Sequence, residues 1–93
     1  MCELLPAVRS GDLSQLEAMY LEASSEYERA HVCMQMALQS AIRLLDGEAA
    51  FRWLRLARHH AIDDFSTLSV LRLDETIIHS ILSDPSEIER LGL

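Results

Sequence analysis

Residues 38–57 read LQSAIRLLDGEAAFRWLRLA, and residues 4–23 read LLPAVRSGDLSQLEAMYLEA. Laid over one another at an offset of 34 residues, Leu38 falls on Leu4 and Ala41-Ile42-Arg43 on Ala7-Val8-Arg9. The register continues: Asp46 falls on Asp12, Leu54 on Tyr20 and Ala57 on Ala23. A shorter, more decayed copy follows after 29 residues, where Val70-Leu71-Arg72 precedes Glu75 as the earlier arginines precede their aspartates. A period in the thirties marks stacked helical pairs, in which no unit buries its apolar face alone. The alternative is coincidence in an Ala/Leu/Arg-rich helical chain. Helical arrays bind partners and seldom catalyse.

The composition agrees with that class. The 93 residues suit one small domain, of which 49% are hydrophobic, with only three Gly and two Pro. Leu, Ala, Glu, Arg and Met dominate, a helical vocabulary with little set aside for hairpins. The expected fold is all-α, a single domain over 1–93 built from helix-turn-helix units at about 3–24, 26–61 and 65–91. The net charge is −7, from 15 acidic and 8 basic residues, and every basic residue is arginine. Lacking lysine, the chain has no Schiff-base or phosphate-loop lysine. Its acidity disfavours nucleic acid and anionic membranes. Two cysteines, Cys2 and Cys33, are too few for a disulfide framework and fit a reduced, cytoplasmic setting. Neither a signal peptide nor a membrane-spanning run is legible.

Local signals place the helices. Pro6 belongs in a first turn, giving a short helix over about 4–10. Asp12 is an N-cap for a helix over about 13–23, striped by Leu13, Leu16, Tyr20 and Ala23. Ser25 with Glu28 forms a capping box that opens the longest helix, about 26–45, which Asp46-Gly47 stops. This helix is apolar around most of its circumference, so it must be covered on more than one side. A fourth helix over 48–61 carries Ala50, Phe51, Trp53, Leu54 and Ala57. A fifth, over 65–82, follows the caps Asp63 and Asp64, with Asp74 as a point of division. Asp84-Pro85 opens a last short helix over 85–91.

Few residues invite chemistry. His59 and His60 each face an aspartate four residues on, Asp63 and Asp64, a pattern that could ligate a metal for a small metal-dependent enzyme. Adjacent histidines on a helix diverge by about 100°, however, so helix-end electrostatics is the better reading. His31 and Cys33 lie on different helix faces and cannot pair as base and nucleophile. The reading is no enzyme, no cofactor and no metal. Met34, Met36, Phe51 and Trp53 are usual core residues, although flexible methionines also suit a surface that accepts another helix.

Two families share parts of this pattern. Ala50-Leu54-Ala57 resembles the small-large-small signature in the second helix of a tetratricopeptide unit. Leu4 to Leu13 resembles the first helix and turn of an ankyrin repeat, whose hairpin and Thr-Pro-Leu-His cue are absent from residues 25–40. Over residues 31–68 the chain is similar to the tetratricopeptide-like chaperones that hold the needle subunit of bacterial type III secretion systems. His31 and Cys33, Gly47-Glu48, Leu54-Arg55-Leu56 and Asp64-Phe65 carry that resemblance. Val32 and Met34 stand where those chaperones have polar residues.

The resemblance implies a cytoplasmic, stoichiometric chaperone that curls around the amphipathic helix of a needle subunit, with a second small helical chaperone completing the complex. By analogy with tetratricopeptide arrays, whose first helices line the concave face, Met34, Leu38 and Ile42 are expected to meet the bound helix. Trp53 flanks the groove, while Cys33, Ala37, Ala41 and Leu44 face inward. Burying even ~500 Å² of apolar surface is worth on the order of 10 kcal/mol before association costs. A free-standing ankyrin-like interaction module is the alternative.

Overall fold

Ser25 sets the frame. Its backbone is extended and its hydroxyl accepts from the Glu28 N–H at 3.1 Å, which starts the central helix. The Glu28 carboxylate reaches back one residue further than a standard capping box, to the Ser24 N–H at 3.1 Å and the Ser24 hydroxyl at 3.3 Å.

A computed structural model describes residues 13–92 as α1 (Leu13–Glu22), α2 (Glu26–Leu44), α3 (Gly47–His60), α4 (Phe65–Ser83) and the short α5 (Glu87–Arg90). Among the described residues there is no strand. The helix expected at 4–10 and the Asp12 cap lie outside them.

Helix α2 is the hub, packing on α1, α3 and α4, while α4 also packs on α3. Two apolar clusters record this. Cys33, Met34, Ala37 and Ala41 of α2 meet Ala50, Leu54 and Ala57 of α3 and Leu71, Ile78 and Ile81 of α4. Alanines on both α2 and α3 let the two helices approach closely, and Leu54 fills the gap between them. On another side of α2, Val32 and Met36 cluster with Leu16 of α1, and Trp53 packs against both clusters.

Three expectations need correcting. Asp46-Gly47 does not stop α2; Leu45 does, in the left-handed conformation at φ 50, with its N–H bonded to Ala41 and Ser40 carbonyls. Gly47 instead opens α3, where a Cβ would lie 3.0 Å from Cδ1 of Leu82, the movable end of a half-buried side chain. Asp74 does not divide α4, which runs unbroken for 19 residues, because one aspartate in a helix interior removes no backbone hydrogen bond. At the other end, Asp84 is the C-cap of α4, its N–H bonded to the Ser80 carbonyl, and not the N-cap of the last helix. Its carboxylate accepts from the N–H and hydroxyl of Ser86 in the turn before α5, which spans four residues.

Candidate binding face

Helical geometry divides the circumference of α2 into arcs. Val32 and Met36 look towards α1, and Cys33, Met34, Ala37 and Ala41 look into the core shared with α3 and α4. The remaining arc holds His31, Gln35, Leu38 and Ile42, separated by steps of four and three residues, and all four are half-buried. Tyr27 lies one turn before them on the same arc, its ring 4.3 Å from that of His31. Leu38 and Ile42 pack at the margin of the core that α2 shares with α3 and α4.

Helix α4 supplies the adjoining wall. Its buried stripe is Thr67, Leu71, Ile78 and Ile81. One edge of that stripe borders α3, where Glu75 pairs with Arg58 at 2.9 Å and the His79 ring lies 4.7 Å from that of Phe51. The opposite edge therefore borders α2 and carries Val70, Leu73 and Ile77, while Asp74 falls within the stripe itself, three residues after Leu71 and four before Ile78. Leu73 is 61% exposed and Val70 is 46% exposed. The charge of His31 helps to hold the Asp64 carboxyl low, behind the larger effect of its hydrogen bonds to Thr67, which places the α2 arc beside the N-terminus of α4.

Two polar groups on this face are poorly satisfied. The Gln35 Oε1 is buried without a hydrogen-bond partner. A buried acceptor left in that state costs about 1–3 kcal/mol. Asp74 is half-buried and makes no hydrogen bond or ion pair with a described residue. Its burial pushes the carboxyl up to about 6.

The expected partner-binding residues separate. Leu38 and Ile42 share the arc. Met34, at 2% exposure, lies in the core instead, because its arc of α2 meets α3 and α4. Trp53 packs over α1 and α2 residues and lines a different cleft of about 370 Å³ with Arg52, Arg55, Leu56 and His59. Leu44, expected inside, is 59% exposed at the end of α2. The sequence reading missed Gln35, Asp74 and Leu73. In sequence Asp74 reads only as a point of division of the helix; the signal lay in the repeat of Val70, Leu73 and Ile77 alongside the stripe of Leu71, Ile78 and Ile81.

The histidine cluster has another arrangement from the one its spacing suggests. His60 does not face Asp64; its Nδ1 lies 2.6 Å from the Glu26 carboxylate and its Nε2 lies 2.8 Å from the Tyr20 hydroxyl. A carboxylate only accepts, so Nδ1–H donates to Glu26, and in the neutral ring Nε2 accepts from Tyr20. Arg29 donates to the other Glu26 oxygen at 2.6 Å and to the Ala23 carbonyl at 3.2 Å. The His60 hydrogen bond, seconded by Arg29, holds Glu26 below the usual carboxylate range. Asp64 caps α4, accepting from the Thr67 N–H at 3.1 Å and the Thr67 hydroxyl at 2.7 Å. Among the described residues, no three His, Cys, Asp or Glu side chains converge where they could hold a metal ion. Nor is any described helix long and apolar enough to cross a membrane.

The class that these features define is an all-helical protein, with no strand among the described residues and several large apolar side chains exposed, Val70 and Leu73 among them. In comparisons with known proteins no family model fits the chain, and no curated sequence or solved structure matches it significantly.

Proposed function

We propose that this chain is a non-catalytic binding protein that holds an amphipathic helix of a protein partner along the α2–α4 face. We further propose that the partner is the needle subunit of a bacterial type III secretion system, kept from polymerising in the cytoplasm with the help of a second small helical chaperone. The observation that carries the reading is the α2–α4 face itself. Leu38, Ile42 and Ile77 are half-buried against the core that α2 and α4 share, and Val70 and Leu73 of α4 are exposed, the kind of apolar surface that accepts a helix.

The packing order supports a tetratricopeptide-like arrangement. Each of α1, α3 and α4 packs on α2, and α4 also packs on α3. In such arrays the first helix of each pair lines the concave side, the position that α2 and α4 would take. The family assignment rests on the resemblance carried by His31, Cys33, Gly47-Glu48, Leu54-Arg55-Leu56 and Asp64-Phe65.

Co-expression with a type III needle subunit, followed by size-exclusion chromatography with mass determination, tests the reading. The expected result is a soluble stoichiometric complex in place of subunit polymer. A subunit that polymerises or precipitates as readily with this chain as without it rejects the assignment.

A further inference from the structure

We infer that a band of arginines on the solvent side of α3 and α4 is a second docking surface, which holds an acidic segment of a protein partner that also carries large apolar side chains. This goes beyond the helix-binding reading and stands without it.

Charge is unevenly spread along this chain. Helix α3 carries three of the eight basic residues but one of the 15 acidic ones. Arg52, Arg55 and His59, spaced by three and four residues, follow one exposed arc of that helix. Three clefts run between the arginines. Arg52 and Arg55 border about 370 Å³ floored by Trp53 and Leu56, and Arg55 and Arg58 border about 220 Å³. Arg58 and Arg72 of α4 border a third, of about 320 Å³, walled by Ile62 and Leu68. The shared Arg55 and Arg58 join the clefts into one band in which charged and apolar groups alternate. Its cations are open to a partner: the Arg52 and Arg58 side chains are 68% and 51% exposed, and Arg55 and Arg72 are exposed as well. They are also incompletely neutralised. Arg52 meets Glu48 at 3.3 Å and Arg58 meets Glu75 at 2.9 Å, exposed pairs that contribute little and that a partner's carboxylate can share. Arg29 and Arg90, by contrast, each hold a glutamate three residues away on their own helix. Arg55 and Arg72 form no ion pair with a described residue. Guanidinium forks set between aromatic and aliphatic side chains match carboxylates that alternate with apolar groups. Charge also decides the occupant. A second copy of this chain would bring its own −7, and a nucleic acid a phosphate at every step with no aliphatic side chains for the clefts. A short acidic segment needs only a few carboxylates, all of which the band can meet.

The test titrates a labelled peptide, in which glutamates alternate with leucines, into the full chain by fluorescence anisotropy. Two control peptides carry glutamine for every glutamate or serine for every leucine. The parent peptide should bind about tenfold tighter than either control, and should weaken as salt shortens the range of the charges. Arg55→Glu and Arg72→Gln should each weaken it, the first by about tenfold, with helical content by circular dichroism unchanged. Arg90→Glu alters the net charge as much as Arg55→Glu does but lies outside the band, and should leave binding as it was. Equal losses in Arg55→Glu and Arg90→Glu would reduce the effect to net charge and overturn the site. Equal binding of the three peptides, or no binding of any, overturns it too. A single-stranded oligonucleotide that binds more tightly than the peptide, or a dimer in sedimentation equilibrium that Arg55→Glu dissociates, would give the band a different occupant and reject the acidic segment.

Discussion

Tyr20 and His60, forty residues apart in sequence, share a hydrogen bond of 2.8 Å. The bond joins the first described helix to the end of α3, and through Glu26 it reaches the start of α2. Edge-on contact between the Tyr20 and Trp53 rings, with centroids 6.1 Å apart, reinforces the same junction. Removing only the hydroxyl isolates the hydrogen bond from the packing. Tyr20→Phe should therefore lower stability by about 1 kcal/mol in urea unfolding monitored by Trp53 fluorescence. An unchanged midpoint would mean that this junction is held by apolar contact alone.

The burial of Asp74 makes stability depend on pH. Its folded value of about 6 lies above the ordinary 3.8, so the folded state binds the proton more tightly than the unfolded chain does. The associated stability is fully present below the unfolded value and is lost as pH rises through the folded one. Asp74→Asn should therefore be more stable than the parent at pH 7.5, and should flatten the part of the stability profile between about pH 4 and 6. A variant less stable than the parent at pH 7.5 would show that the carboxylate has a compensating partner.

Leu45 carries the chain out of α2 at φ 50, a conformation that an L-residue with a side chain resists. Its side chain is about half exposed, so little burial is lost on shortening it. Leu45→Gly should raise stability by roughly 0.5 kcal/mol, against the usual trend for replacing leucine, as strain relief exceeds the added entropy of the unfolded chain. Thermal unfolding in a calorimeter decides the sign, and a lowered midpoint refutes the strain.

Cys33 is fully buried, and burial pushes its thiol up to about 12. In a Cys2→Ser background, the native protein should react with a disulfide reagent at pH 8 only as fast as it opens, and fully upon denaturation. Rapid labelling of the native form would place Cys33 at a surface.

Much of this fold was legible where local chemistry decides it. Ser25 announces a helix start through a hydroxyl that accepts from the third residue on, and Ala50-Leu54-Ala57 shows its packing face by spacing alone, whereas Asp46, which reads as a stop, caps the start of α3. The binding face was legible only in part. Helix α2 is apolar around so much of its circumference that its sequence does not say which arcs its neighbours take; Met34 and Leu38 look equivalent until α3 and α4 are in place. Gly47 has the same ambiguity, because a glycine after an aspartate reads as a stop although here it is the first residue of α3. Asp74 was hidden for the opposite reason. An aspartate within a helix reads as a point of division, and only the unbroken helix with Leu71 and Ile78 buried around it reveals its position.

The central claim is that the α2–α4 face receives a partner helix, and its most direct test is the association of the Leu73→Glu variant with a type III needle subunit, measured by size-exclusion chromatography after co-expression. Leu73 is 61% exposed, so the free variant should keep its helical content and melting temperature, while the complex should be lost because the new carboxylate is buried against an apolar stripe. Met34→Glu, in the core, serves as the contrast and should unfold the free chain. A complex formed as tightly by Leu73→Glu as by the parent would contradict the account.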